Sequence, residues 1–178
     1  MPLNGLVTPI VGFAAFSGTG KTTLLKRLIP ELRGRGLRLA LVKHAHHSFE
    51  VDIPGKDSYE LRKAGAEQVL IASRHRWAWM RDLEDEREPL LGELLPHLEV
   101  RDCDLILVEG FKHEPIPKIE LHRPSLGHPL LFPNDPHVIA VATDMPQAID
   151  TRLPLLALDA PEAIADFIQD RLLKGGLR

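Results

Sequence analysis

The sequence contains few features that suit disulfides, membranes or polyanions. Cys103 is the only cysteine among 178 residues, so no disulfide can form within the chain, and a reducing, cytoplasmic setting is expected. No apolar run reaches the ~18 residues of a membrane span, and the N-terminal residues lack the basic region and cleavage site of a secretory signal. The formal net charge is −3. We therefore expect neither nucleic acid nor a membrane as a partner.

Hydrophobic runs alternate with amphipathic stretches along the chain. This pattern predicts an α/β fold with a mostly parallel, twisted sheet flanked by helices, as one domain over residues 1–178, with a small antiparallel extension. The predicted strands are 7–15, 37–43, 69–72, 77–81, 105–109, 118–122 (as an edge strand), 138–143 and 155–158. The predicted helices are 21–35, 57–64 (with Asp57 and Glu60 as a capping box), 89–98 and 161–173.

A glycine-rich loop follows the first predicted strand. Residues 15–23 read A-F-S-G-T-G-K-T-T, which is typical of a phosphate-binding P-loop between a strand and a helix. Gly18 and Gly20 permit the tight turn that aims backbone N–H groups at phosphates, while Lys21 reaches the β- and γ-phosphates and Thr22 is placed to bind Mg²⁺. Alanine at position 15, where the full pattern has glycine, costs little if its φ is negative. The predicted nucleotide-binding residues are Ser17, Gly18, Thr19, Gly20, Lys21, Thr22 and Thr23.

An acidic residue ends a second apolar strand. Residues 104–110 read D-L-I-L-V-E-G, and Glu109 stands at the carboxyl end of the strand, where ligands gather in open α/β sheets. A carboxylate there binds Mg²⁺ or its water beside a P-loop. We predict Thr22 and Glu109 as the Mg²⁺ pair; the alternative is a solvated glutamate at a strand end.

The loop after the second strand is rich in polar side chains. His44, His46 and His47 lack the spacing of a zinc site, and they are interpreted as phosphate donors, as proton-sensitive residues or as a plain solvated loop. Asp52 is the candidate for orienting an attacking water or supporting Mg²⁺, and so is predicted as catalytic together with Lys21. Lys56 and Ser58 open the next helix and are candidates for a second anion.

Four blocks of sequence resemble one known family. They are A-F-S-G-T-G-K-T-T-L-L, V-K-H-A-H-H, D-I-P-G-K-D-S-Y-E-L-R-K-A-G-A and D-L-I-L-V-E-G-F-K-H-E, in order over residues 15–114, and H-V-I-A-V-A-T-D extends the likeness to Asp144. Together they resemble molybdopterin-guanine dinucleotide biosynthesis protein B (MobB). The resemblance weakens after residue 144, and residues 77–98 are not distinctive.

The resemblance implies a dimeric, GTP-binding P-loop protein of molybdenum cofactor biosynthesis. Such proteins assist the MobA-type nucleotidyltransferase that joins GMP to molybdopterin, and they hydrolyse GTP slowly at most. The resemblance places the histidine loop and Asp52 beside the γ-phosphate. The candidate residues for a second anion or for molybdopterin are His46, His47, Lys56, Ser58 and Lys112.

The residue that reads guanine is less evident, because the N-K-x-D motif of other GTPases is absent. Asp144 follows a late apolar strand, about where that motif lies, and its carboxylate could accept both N1–H and N2–H₂ of guanine. The alternative is an ordinary turn before Pro146. Trp77 and Trp79 share one strand face and are expected to be buried in the core or at a dimer contact rather than to stack on a pterin.

Two other functions share these features. A small-molecule kinase also combines a P-loop, a strand-end acid and a second anion loop, but it usually adds an arginine-rich lid. Arg74, Arg76 and Arg81 are the only candidate cluster, and they do not form an obvious lid. A scaffold with a vestigial P-loop would not need Lys21.

Overall fold

The computed structural model describes residues 8–45, 49–83 and 87–174. The chain divides into two compact units. We call residues 1–44 and 90–178 the main unit, and the inserted residues 45–89 the hairpin unit. The prediction of one domain over residues 1–178 stays a prediction. Among the described residues, no helix is long and apolar enough to cross a membrane.

A six-stranded parallel sheet forms the main unit. Its strands are β1 (Ile10–Ala14), β2 (Leu39–Lys43), β5 (Leu105–Glu109), β6 (Lys118–His122), β7 (Val138–Thr143) and β8 (Leu155–Ala157), in the spatial order β2-β5-β1-β6-β7-β8. The helices are α1 (Lys21–Gly34), α3 (Leu91–Leu94, continued by a 3₁₀ turn, Leu95–His97) and α4 (Pro161–Ile168, continued by a π-helical segment, Gln169–Lys174). The predicted α/β architecture with a mostly parallel sheet is confirmed.

Apolar side chains cover both faces of this sheet, which is why its strands read as hydrophobic runs. On one face, Leu24, Leu25, Leu28 and Leu32 of α1 pack with Ile164, Ala165 and Ile168 of α4 against the strands. On the other face, Leu91 and Leu95 pack with Val42, Ile106, Val108, Phe111 and Ile116. The carboxyl ends of β1, β5, β6 and β7 are thereby held side by side at one edge of the sheet.

Strand β6 is an interior strand, so its prediction as an edge strand was wrong. It lies between β1 and β7, and all five of its side chains are buried. Lys118 and Glu120 make the strand read as polar, but both have partners. The Lys118 ammonium donates to the Glu114 carbonyl at 2.6 Å and is 2.8 Å from the Asp135 carboxylate. Glu120 accepts the backbone N–H groups of Leu131 and Phe132.

The hairpin unit contains α2 (Asp57–Lys63) and an antiparallel pair, β3 (Gln68–Ala72) and β4 (Trp77–Arg81), in which Leu70 pairs with Trp79. The predicted small antiparallel element is confirmed. The predicted capping box was wrong, since α2 begins at Asp57 and Lys56 occupies the cap position without a side-chain cap bond. Trp77 is 60% exposed, so the core of this chain does not bury it.

Candidate nucleotide-binding site

The glycine loop joins the end of β1 to the start of α1. Gly18 and Gly20 have φ values of 80° and 104°, a region that glycine adopts without strain. No described residue other than glycine has a positive φ, so Ala15 stands where alanine is tolerated. Gly20 occupies the cap position of α1 and has no side chain to bond the first-turn N–H groups. Those groups and the helix dipole are therefore available to an anion.

Hydrogen bonds within the loop hold its shape. The Thr19 hydroxyl donates to the Phe16 carbonyl at 2.9 Å, and Thr19 is 2% exposed. The Lys21 ammonium donates to the carbonyls of Ala15 at 2.8 Å and Phe16 at 3.3 Å. Ser17 and Thr23, the outer members of the predicted set, are exposed. The loop thus presents a preformed anion cradle with Lys21 folded back on it.

Partial burial disfavours the charged form of Lys21. Burial lowers the pKa of its ammonium. The charge of Glu109 opposes this shift by a smaller amount, and the like charges of Lys112 and Lys43 lower the pKa further. A phosphate would supply the missing negative charge.

Thr22 and Glu109, the predicted Mg²⁺ pair, meet in the structure. The Thr22 hydroxyl donates to Glu109 Oε1 at 3.2 Å, and Lys43 Nζ lies 3.5 Å from Oε2. The strand register explains the contact, because Phe13 of β1 pairs with Glu109 of β5, and both strands end at the same edge. A hydroxyl and a carboxylate are hard oxygen ligands, so these side chains fit Mg²⁺.

An arginine that was not identified from the sequence links Asp144 to the P-loop. Arg123 Nη1 donates to the Asp144 carboxylate, and Arg123 Nε donates to the Thr19 carbonyl at 3.1 Å. His122 of β6 pairs with Thr143 of β7, so Arg123 and Asp144 are the next residues along two adjacent parallel strands. The only signal in the sequence was an arginine directly after a predicted strand, and its meaning depended on that strand being interior.

Phe16 is enclosed by two polar residues. The His128 ring stacks on it with centroids 4.7 Å apart, and Lys112 Nζ lies 5.8 Å from its ring centroid. Lys112 was a predicted site residue, and the structure does place it at the P-loop; His128 was not identified from sequence. Gly110, two residues before Lys112, has a φ of 94°. A Cβ at this position would lie 2.9 Å from His44 Cβ.

Asp52 lies in an ion-pair cluster of the hairpin unit. Its side chain is 1% exposed, and Arg62 Nη2 contacts its Oδ1 at 2.9 Å. Arg62 also contacts Glu50 at 2.5 Å and Asp82 at 3.1 Å. The pKa of Arg62 is raised, chiefly by the hydrogen bond with Asp52. Arg62, which sequence reasoning missed, therefore fixes the loop that carries Asp52.

The remaining candidates also fall in the hairpin segment. Lys56 and Ser58 stand at the start of α2, with Lys56 exposed and Ser58 partly exposed. His46 and His47 lie outside the described residues.

Comparison with known proteins assigns this geometry to a family. The family model "Molybdopterin guanine dinucleotide synthesis protein B" matches residues 10–144. A molybdopterin-guanine dinucleotide biosynthesis adapter protein of Escherichia coli (strain K12) is 53% identical over 93% of this chain and 94% of its own length. The Haemophilus influenzae protein with the same description is 46% identical over 92% and 89%. A crystal structure of molybdopterin-guanine biosynthesis protein B superimposes with a TM-score of 0.69 at 30% identity, covering 92% and 99%.

Proposed function

Because this chain belongs to the molybdopterin guanine dinucleotide synthesis protein B (MobB) family, we propose that it binds GTP with Mg²⁺ and assists a MobA-type nucleotidyltransferase in attaching GMP to molybdopterin. The observation that carries the proposal is the contact between Thr22 and Glu109 at the mouth of a preformed P-loop. The single cysteine fits a cytoplasmic setting for this work.

The proposed role is accessory, with slow GTP hydrolysis at most. Lys21 binds phosphate, and Thr22 with Glu109 holds Mg²⁺, which neutralises phosphate charge when bound. Asp52 is proposed as the residue that orients water, with its carboxylate fixed by Arg62. No arginine or glutamine was identified from sequence as a stabiliser of transition-state charge, which agrees with weak catalysis.

Calorimetric titration with GTP and with ATP, each with Mg²⁺, tests the proposal first. Preference for GTP, together with more dinucleotide product from a MobA-type enzyme when this protein is added, would support it. Equal or ATP-favoured binding would contradict it and favour the kinase alternative. In that case rapid turnover would require an acceptor, and Arg74 and Arg76, which lie exposed between β3 and β4, would be the first residues to test.

Glu109→Gln is expected to weaken the Mg²⁺-dependent part of GTP binding by about tenfold or more, because the neutral amide is a poor Mg²⁺ ligand. Binding in EDTA is expected to stay close to that of the wild type. Titration with and without Mg²⁺ measures both. Glu99→Gln, at an exposed position, is the control; equal Mg²⁺ dependence in Glu109→Gln and wild type would remove Glu109 from the metal site.

Asp144→Asn is expected to reduce the preference for GTP over ATP by about tenfold. An asparagine side chain offers one acceptor and an NH₂ donor, so it cannot accept from both guanine N1–H and N2–H₂. The ratio of the two dissociation constants is the measurement, with Asp150→Asn, another exposed aspartate, as the control. An unchanged ratio would mean that guanine is read elsewhere.

A second copy of the chain is the proposed partner of the hairpin unit. Large exposed apolar side chains are typical of an interaction surface, and this short unit has many of them: Phe49, Val51, Ile53, Leu61, Leu70, Ile71, Trp77 and Leu83. Burial of these residues between two copies would agree with the dimer that the resemblance implies. Sedimentation equilibrium over a range of concentrations tests this, and a monomer throughout would contradict it.

For the second anion, or the phosphate of molybdopterin, the proposed ligands remain His46, His47, Lys56, Ser58 and Lys112. Lys112 is supported by its position beside Phe16 of the P-loop.

A further inference from the structure

One arginine contacts both the P-loop and the carboxylate proposed to read guanine. Arg123 Nε donates to the Thr19 carbonyl at 3.1 Å, and Nη1 donates to Asp144 Oδ2. The side chains of Arg123 and Asp144 are 37% and 33% exposed, so both are partly shielded from water. Since a guanidinium is planar and rigid, two contacts made by its nitrogens fix how the partners lie relative to each other.

Both partners are themselves held by the fold. Thr19 is 2% exposed, and its hydroxyl donates a hydrogen bond to the Phe16 carbonyl. The Thr19 residue that Arg123 contacts on the P-loop is therefore held in place. Asp144 follows β7 directly, and the hydroxyl of Thr143 accepts the Met145 N–H at 3.1 Å. Arg123 therefore connects two fixed places, one at the phosphate end of the site and one at the proposed base end.

We propose that Arg123 is a positioning residue that sets the orientation of the Asp144 carboxylate relative to the P-loop, so that the base and the phosphates of one GTP are bound together. The proposal rests on the proposed function. Arg123 occupies Oδ2 alone, and an ionised carboxylate has about four lone-pair sites, so Asp144 keeps the capacity to accept from guanine. A carboxylate ordered before binding loses less rotamer freedom when the base arrives.

This role differs from simple support of the fold. If Arg123 acts through Asp144, its loss must weaken the binding of GTP more than the binding of ATP, because Asp144 favours guanine. The loss must weaken the binding of inorganic tripolyphosphate least, because that ligand has no base. A residue that merely stabilised the P-loop would affect the three ligands equally.

The experiment is calorimetric titration of the full chain with GTP, ATP and tripolyphosphate, each with Mg²⁺. The proteins are wild type, Arg123→Gln, Asp144→Asn and the double variant. Arg123→Gln is expected to weaken GTP by about tenfold and to reduce the GTP-to-ATP preference by about fivefold. In the Asp144→Asn background it is expected to change that preference no further, because the two residues act as one unit. Arg38→Gln is the control. Arg38 directly precedes β2, at the end of the strands opposite to the P-loop, and it pairs with Asp102 and Asp104.

Two results would overturn the role of Arg123. One is that Arg123→Gln weakens the binding of all three ligands equally. The other is that Arg123→Gln reduces the GTP-to-ATP preference further when it is added to Asp144→Asn. Arg123→Lys retains the charge but places all of its donors on one nitrogen at the end of a flexible stem, so an intermediate loss of preference is expected. This variant carries the test if Arg123→Gln does not fold. If the wild type shows no preference for GTP, the proposed function itself fails. If the wild type prefers GTP, Asp144→Asn abolishes the preference and Arg123→Gln retains it, only the inference about Arg123 fails.

Discussion

Replacing Lys21 with alanine is expected to weaken GTP binding at least tenfold, a loss of roughly 1.4 kcal/mol or more. The Lys21 ammonium is held by two loop carbonyls, and burial lowers its pKa, so it lacks full compensation for its charge. A bound triphosphate supplies that compensation. Calorimetric titration with GTP and Mg²⁺ gives the dissociation constants of the wild type and the variant.

Lys26→Ala is the matched control for this variant, because Lys26 is an exposed lysine on the same helix. Its dissociation constant should equal that of the wild type. Unchanged affinity in Lys21→Ala would remove the P-loop from the proposed function. If, in addition, Lys21→Ala and the wild type stimulated a MobA-type enzyme equally, the chain would be a scaffold with a vestigial P-loop.

Replacing Lys118 with alanine is expected to lower the free energy of unfolding by about 3–5 kcal/mol. Lys118 is 1% exposed, and its ammonium contacts the Asp135 carboxylate at 2.8 Å and the Glu114 carbonyl at 2.6 Å. The variant leaves a largely shielded carboxylate without its cation and removes a side chain that packs so closely that a Cβ on Gly12 would lie 2.8 Å from Lys118 Cγ. Urea denaturation measures the change.

The ion pair of Lys174 with Asp170, at 3.1 Å, provides the control. Both of its side chains are exposed, so Lys174→Ala is expected to cost no more than about 1 kcal/mol. A loss in Lys118→Ala as small as that in Lys174→Ala would show that the buried pair contributes little to stability.

The effect of Lys118→Ala should depend on pH. Burial alone would raise the pKa of Asp135, but hydrogen bonds from Lys118 and from His137 outweigh it and hold the pKa below the ordinary 3.8. The ionised pair therefore stabilises the wild type fully above that ordinary value, and the contribution is lost as the pH falls through the lower folded value. The difference between wild type and variant should be greatest near neutral pH and should shrink in acid.

Short-range patterns were sufficient to predict the backbone geometry of the glycine-rich loop. The P-loop is a run of consecutive residues whose glycines and lysine act through local backbone geometry, and the structure shows the expected positive φ at Gly18 and Gly20. The meeting of Thr22 with Glu109 was also predicted, because parallel strands bring their carboxyl ends to one edge of a sheet. The apolar strands and the family followed from patterns of the same kind.

Asp144 was predicted from the sequence as the candidate for reading guanine, but its contact with Arg123 could not be predicted in this way. Arg123 contacts Asp144 only because β6 and β7 are neighbours with His122 opposite Thr143. Strand β6 was predicted from the sequence as an edge strand, and a strand with Lys118, Glu120 and His122 reads as half solvated. The charges of Glu120 and Lys118 can be buried because Leu131 and Phe132 donate backbone N–H groups to Glu120, and Asp135 pairs with Lys118.

The sequence by itself determined the α/β fold class, the family and the backbone geometry of the glycine-rich loop. Each of these depends on hydrophobic periodicity or on residues close together in the chain, for which local backbone geometry is decisive. Only the tertiary structure decided the interior place of β6, the pairing of Asp52 with Arg62 and the link that Arg123 makes between P-loop and Asp144. Those features depend on strand order and on ion pairs between separate segments, which no local pattern records.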